Sequence, residues 1–297
     1  LNNLILLGGA FAVLWGTLFP MFAEAIQGDR ISLGPPFFNQ IMIPVGLALL
    51  FLMGVGPRLP WRRTSWKSLP ALFAIPTLLA VVATVILLVL GITHAYALVT
   101  FSLCAFVVIT IVDEFRRGIG ARRRLHGENH LSAFARLFKK GQRRYGGYVI
   151  HLGVVIVFVG FAGAAFSEQA ESTLERGQTW AFRDFDLTYR GLRIAEDNSV
   201  ESITAEVLLH KEEKAQALLL PRKDWFKKNQ QMASEVAIHS TLGSDLYLIL
   251  ASFDEKTQRA SLKLYWNPLV SWYWIGGVVM VLGGVLVLWP MQRRRLA

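Results

Sequence analysis

Apolar positions arrive in six long runs, roughly Leu4–Ala23, Phe37–Gly56, Leu69–Leu90, Tyr96–Val112, Tyr145–Phe166 and Leu269–Pro290. Each is long enough to cross the ~30 Å hydrocarbon core of a bilayer as a helix. Pro76 falls inside the third run and the first ends near Pro20, which membrane helices tolerate when neighbouring groups satisfy the freed carbonyl. Between residues 167 and 268 the period changes. Phe185, Leu187 and Tyr189 alternate with Asp186, Thr188 and Arg190; Ile203, Ala205, Val207 and Leu209 alternate with their neighbours, as do Leu262, Leu264 and Trp266. Period-two patterning predicts half-buried strands, with turns at Asp197-Asn198 and Leu242-Gly243-Ser244. The pattern therefore predicts a polytopic α-helical membrane protein of six spans. A small extracytoplasmic antiparallel β domain of about six strands, a barrel or sandwich, is inserted before the last span. The division is 1–166 for five spans with basic connections, 167–268 for the β domain, and 269–297 for the last span and a basic tail. Pro221–Gln231, basic with Trp225 and Phe226, reads as an exposed loop.

Composition agrees: 53% of the 297 residues are hydrophobic and the mean hydropathy is +0.41, too apolar for an ordinary soluble domain of this length. More than half of the 31 basic residues sit in the 57–67 and 113–144 connections and in the tail at Arg293, Arg294 and Arg295. By the positive-inside bias that side is cytoplasmic, so both termini are expected there and the β domain outside. The net charge of +10 then follows from topology, and no nucleic-acid partner is expected. Leu131, Phe134, Leu137 and Phe138 recur at helical spacing among Arg136, Lys139 and Lys140, which fits a helix on the membrane face or a solvated basic linker. The sequence begins on Leu with no cleavable signal peptide ahead of the first run, and is expected to be a piece of a longer protein.

Chemistry is sparse. Cys104 is the single cysteine, which excludes an intrachain disulfide and a dithiol shuttle within this chain. Serine-hydrolase, P-loop, zinc-protease and dinucleotide motifs are missing from the sequence. No pair of carboxylates lies within a span, and Glu24 and Asp29 fall in the expected first outer loop. Gly8-Gly9 and Gly283-Gly284 lie inside spans and suit close helix packing. His126 and His130 are four apart and could pair on a helix, but two ligands rarely make a metal site. His94 belongs to a tight outer turn, and His210 and His239 to strands.

His151 differs, because it is embedded in the apolar run from Tyr148 to Gly160. An ionisable group at that depth is costly and meets a partner, a cavity or a cofactor. At ~100° per residue Gly147, Tyr148, Val154, Val155 and Phe158 share its helical face, while Gly146, Gly153 and Gly160 line the opposite face and admit another helix closely. Residues alone leave two accounts open, an interhelical hydrogen bond and a haem ligand.

Several blocks in order along the chain resemble the C-terminal half of the CcmF family, membrane haem lyase components of bacterial cytochrome c maturation. They are Gly16-Thr17-Leu18-Phe19-Pro20, Gly34-Pro35-Pro36-Phe37-Phe38-Asn39, Gly147 through Gly153 around His151, Glu235-Val236-Ala237-Ile238, and Asn267 through Gly277. The resemblance implies a bacterial inner-membrane protein that binds haem b, with His151 as one axial ligand to the iron; Gly147 and Tyr148, on the same helical face, are then expected to face the haem. The other ligand and the W-W-x-W-D haem-delivery motif belong to the family's N-terminal half and have no counterpart in this sequence. Implied partners are that half, a haem chaperone, and apocytochrome c with the proteins that reduce and present its thiols. Holocytochrome c synthase activity, attaching haem through thioether bonds, is expected only with those partners. A transmembrane haem transporter and a non-catalytic scaffold acting through the β domain are the competing readings.

Overall fold

The computed structural model describes residues 1–28, 31–59, 69–212 and 214–289. Among them are six helices long and apolar enough to cross a membrane. They are α1 (Asn2–Gln27), α2 (Pro35–Val55), α3 (Leu69–Val89), α4 (Ala95–His126), α5 (His130–Gly163) and α6 (Ser271–Leu288). Arg62, Arg63, Lys67 and the tail arginines, on which part of the orientation reading rests, lie outside the described residues, as does Asp29 of the expected first outer loop.

The helices outrun the apolar runs. α1 continues through Pro20 to Gln27, so Glu24 is helical and not in a loop. α4 carries on past Val112 into charged sequence as far as His126, where Gly127 closes it as a left-handed cap with φ 64°. The 131–140 stretch is the first part of α5 itself, set off from the span by non-helical Gly141. Leu137 is buried and Phe138 packs against the helical core, while Leu131 stays exposed. Helix contacts exploit glycine where bulk is high: Gly54 of α2 leaves the space filled by the Phe106 ring of α4, and Gly9 of α1 lies against Val45 and Met42 of α2. Gly8 meets nothing, so only one of that glycine pair serves packing.

Residues 163–274 form a second compact unit. It holds ten described strands: β1 (Glu168–Leu174), β2 (Thr179–Phe182), β3 (Phe185–Glu196), β4 (Val200–Lys211), β5 (Lys214–Leu219), β6 (Arg222–Phe226), β7 (Gln231–Glu235), β8 (Ala237–Ser240), β9 (Ser244–Asp254) and β10 (Arg259–Pro268). One sheet runs β1-β10-β9-β8; the other runs β2-β3-β4-β6-β7, with β5 also on β4. All pairings are antiparallel. The predicted alternation sets the sandwich core: Leu187, Tyr189, Val207 and Leu209 of one sheet and Leu248, Leu250, Leu262 and Leu264 of the other are wholly buried in one cluster. Each such leucine contributes about 1.5–3 kcal/mol relative to exposure. The Asp197 turn forms as expected, its Oδ1 accepting hydrogen bonds from the Ser199 and Val200 amides at 2.6 and 2.7 Å.

Two expectations fail here. The strands number ten and not about six, because several are only four to six residues long and too short to show a period. Pro221–Gln231 is not a loop: Arg222–Phe226 pairs with β4 and β7, and only Lys227–Gln230 turn. Asp224 anchors this strand, buried, accepting a hydrogen bond from Ser202 Oγ at 2.6 Å.

Candidate functional site: an imidazole-lined groove

The glycine face of α5 decides which way His151 points. A methyl group at Gly153 would lie 2.5 Å from Met280 Cγ, and one at Gly146 2.7 Å from Val287 Cγ2. Reciprocally, a methyl at Gly276 would meet the Gly153 carbonyl at 2.7 Å and one at Gly283 the Ile150 amide at 2.8 Å. The seven-residue glycine spacings of α5 and α6 therefore mesh backbone to backbone. His151, on the opposite face, looks away from α6.

That opposite face divides by rotation. Relative to His151, Gly147, Val154 and Phe158 lie ~20–60° to one side, and Tyr148 and Val155 ~40–60° to the other. Tyr148 and Val155 are buried among core residues that include Phe106, Val107 and Ile111 of α4. The Cys104 thiol approaches the Val155 carbonyl at 3.7 Å. Arg144 Nε donates to the Tyr148 hydroxyl at 3.2 Å, and Arg144 Nη2 donates to Glu114 Oε2 at 2.5 Å. The Tyr148 ring stands edge-on to the imidazole with centroids 6.4 Å apart. Tyr148 thus braces His151 from the α4 side and is not among the residues that line the groove described next.

On the other side lies a groove of about 630 Å³. His151, Val154 and Phe158 form one wall; Asn2 and Leu6 of α1 and Leu49, Met53 and Pro57 around the end of α2 form the rest. Gly46 lets Phe158 lie against α2, since a methyl there would be 3.3 Å from its ring. One turn before His151, on the same side of the helix as Val154 and Phe158, Gly147 has no protein atom within 4 Å of an added methyl. The size lies in the usual range for small-molecule sites.

His151 Nδ1 is buried without a partner, and neither ring nitrogen hydrogen-bonds to another described residue. The interhelical hydrogen bond left open by the sequence is therefore not made among the described residues. An orphaned buried nitrogen costs about 1–3 kcal/mol, which a partner met by turning the ring toward the groove would offset. One imidazole in an apolar groove does not suit zinc, which takes three or four protein ligands, and no group of three or more candidate metal ligands exists among the described residues. It suits axial ligation of haem iron.

The other histidines do not converge here. His94 is the N-cap of α4, and His126 and His130 stand at the end of α4 and the start of α5, on different helices. Sequence reading missed Asn2, Leu6 and Met53, whose approach to His151 is a matter of tertiary packing. It also missed the Glu114–Arg144 pair, whose only signal was an acid in a strongly basic stretch.

Residues 165–268 match the family model described as the CcmF C-terminal beta-sandwich. The cytochrome c-type biogenesis protein CcmF of Haemophilus influenzae is 28% identical over 99% of this chain and 44% of its own length. CcmF of Escherichia coli is 26% identical over 100% of this chain and again 44% of its own. A solved structure, Cytochrome c Heme Lyase CcmF, superposes with a TM-score of 0.77 at 26% identity, over 97% of this chain and 45% of that one. The chain resembles the C-terminal half of CcmF throughout. It spans less than half the length of these relatives. Likeness to CcmF, together with the six apolar helices, makes this a membrane protein similar to the cytochrome c-type biogenesis proteins.

Proposed function

We propose that this chain is the haem-b-binding C-terminal part of a cytochrome c haem lyase, and that His151 is an axial ligand to the haem iron. The single observation that carries the reading is the His151 imidazole, in an apolar groove with Nδ1 buried and unpartnered. In this role His151 supplies the nitrogen, Val154, Phe158, Leu6 and Met53 exclude water, and open space at Gly147 admits a flat, bulky ligand. Tyr148, held by Arg144, limits rotation of the imidazole. When bound, haem supplies one-electron chemistry at iron, at a potential set by its axial ligands and the dryness of the site. The second ligand comes from the family's N-terminal half, on the same or a separate chain. In that assembly, on the bacterial inner membrane with both termini cytoplasmic, the complex takes haem from a chaperone and joins it through thioether bonds to the reduced thiols of apocytochrome c. The compact 163–274 unit is the natural surface for the proteins that present that substrate.

The test is the visible spectrum of the protein purified with its companion half. A b-type haem spectrum is expected in the native protein, and His151→Ala should reduce haem content at least severalfold. An unchanged spectrum in a folded His151→Ala protein would remove His151 from the site.

A further inference from the structure

One face of α4 and the start of α5 form a second groove, far in sequence from His151, where the apolar part of α4 gives way to charge. Val112, Phe115, Ile119 and Gly120 make its floor and walls, and Arg116, Arg123 and His130 its rim, around about 570 Å³. The α4 residues recur at helical spacing, so a single stripe is apolar at one end and cationic at the other.

The charges on that rim are not balanced. The three acids of the 113–144 stretch are all engaged elsewhere. Asp113 is shared by Arg58, Arg116 and Arg117, the last two at 2.9 Å. Glu114 takes Arg144 at 2.5 Å, and Glu128 takes Arg122 and Arg136 at 2.6 and 2.7 Å. Three guanidinium groups on the Asp113 carboxylate leave surplus positive charge there. Arg123 and His130 are exposed and have no acidic partner among the described residues. A helix with spare cations beside an apolar wall, at the margin of a membrane-spanning stretch, asks for a ligand that is anionic at one end and apolar at the other.

We propose that this groove binds an anionic phospholipid, with the acyl chain along Val112, Phe115 and Ile119 and the phosphate held by Arg123, His130 and the free edge of Arg116. A free phosphate would leave the apolar wall idle, and a zwitterionic lipid would leave the surplus charge uncompensated. Gly120 keeps the middle of the groove clear, since a side chain there meets nothing within 4 Å.

The experiment is native mass spectrometry of lipid adducts on the full chain, purified in nonionic detergent with equal phosphatidylglycerol and phosphatidylcholine. The native protein should retain phosphatidylglycerol preferentially. Arg123→Gln should lower that retention about fivefold, the effect of one cation near a membrane surface. Gly120→Phe should lower it with no change of charge, by filling the groove. Equal retention of the two lipids would overturn the proposal, as would phosphatidylglycerol binding indifferent to both substitutions. Full displacement by millimolar glycerol phosphate would also overturn it, because only the headgroup would then be recognised.

Discussion

Burying His151 inside an apolar span is worthwhile only if something uses the imidazole. Its depth was legible in the sequence, and so was the face it occupies. The division of that face was not: Tyr148 and Val155 go to α4, Val154 and Phe158 to the groove, and a rotation of a few tens of degrees separates the two fates. Periodicity finds faces, but which neighbour covers each half is decided by packing at long range. Gly147 gives a sharp test at this scale. Because an added side chain there meets no protein atom within 4 Å, Gly147→Leu should fold normally yet lower haem content by competing for the same space. Size-exclusion profile and haem-to-protein ratio measured together check this; a native ratio in the folded variant would place the ligand elsewhere.

Among the elements, α5 and α6 show the closest match between sequence and structure. Glycines at seven-residue spacing predicted a close-packed back on α5, and α6 supplies the partner through Gly276 and Gly283. Overpacking such a contact costs about 1–3 kcal/mol, and more where backbone is the obstacle. Gly153→Leu should therefore lower the thermal midpoint of the detergent-solubilised protein, read by fluorescence-detected size exclusion. Gly277→Leu, on the partner helix α6 but facing open space, should not. Equal midpoints for the two variants would contradict the meshing. The strands were harder to read. The longer ones, β3, β4, β9 and β10, carry ten to twelve residues, enough for alternation to stand out. β6 was hidden because Arg222 and Lys223 look like loop residues, and its one fully buried polar anchor is an aspartate held by Ser202.

At the scale of the whole molecule, two compact units share one chain, and the 163–274 unit has a core of its own. A fragment of those residues should unfold cooperatively, as followed by circular dichroism. Its acid sensitivity is set in part by Asp197, whose carboxyl is held below the usual range first by the Ser199 and Val200 amides and then by nearby Lys227. A depressed carboxylate stabilises the fold above its unfolded value, about pH 4, and loses that contribution as pH falls through its folded value. The midpoint of the fragment should therefore drop on acidification below about pH 4, and drop less in Asp197→Ala. Parallel pH profiles for the two proteins would show that the turn does not titrate with folding. Along the chain as a whole, hydropathy announced the membrane spans and alternation announced the sandwich. The groove at His151 was beyond reach because α1, α2 and α5 build it together.

The central claim, that the His151 imidazole bonds haem iron, is tested most directly by deleting the ring and giving it back. In the assembled protein, His151→Gly should lose the low-spin b-type absorbance, and added imidazole should restore it by entering the vacated position. A native spectrum in His151→Gly without imidazole would contradict the claim.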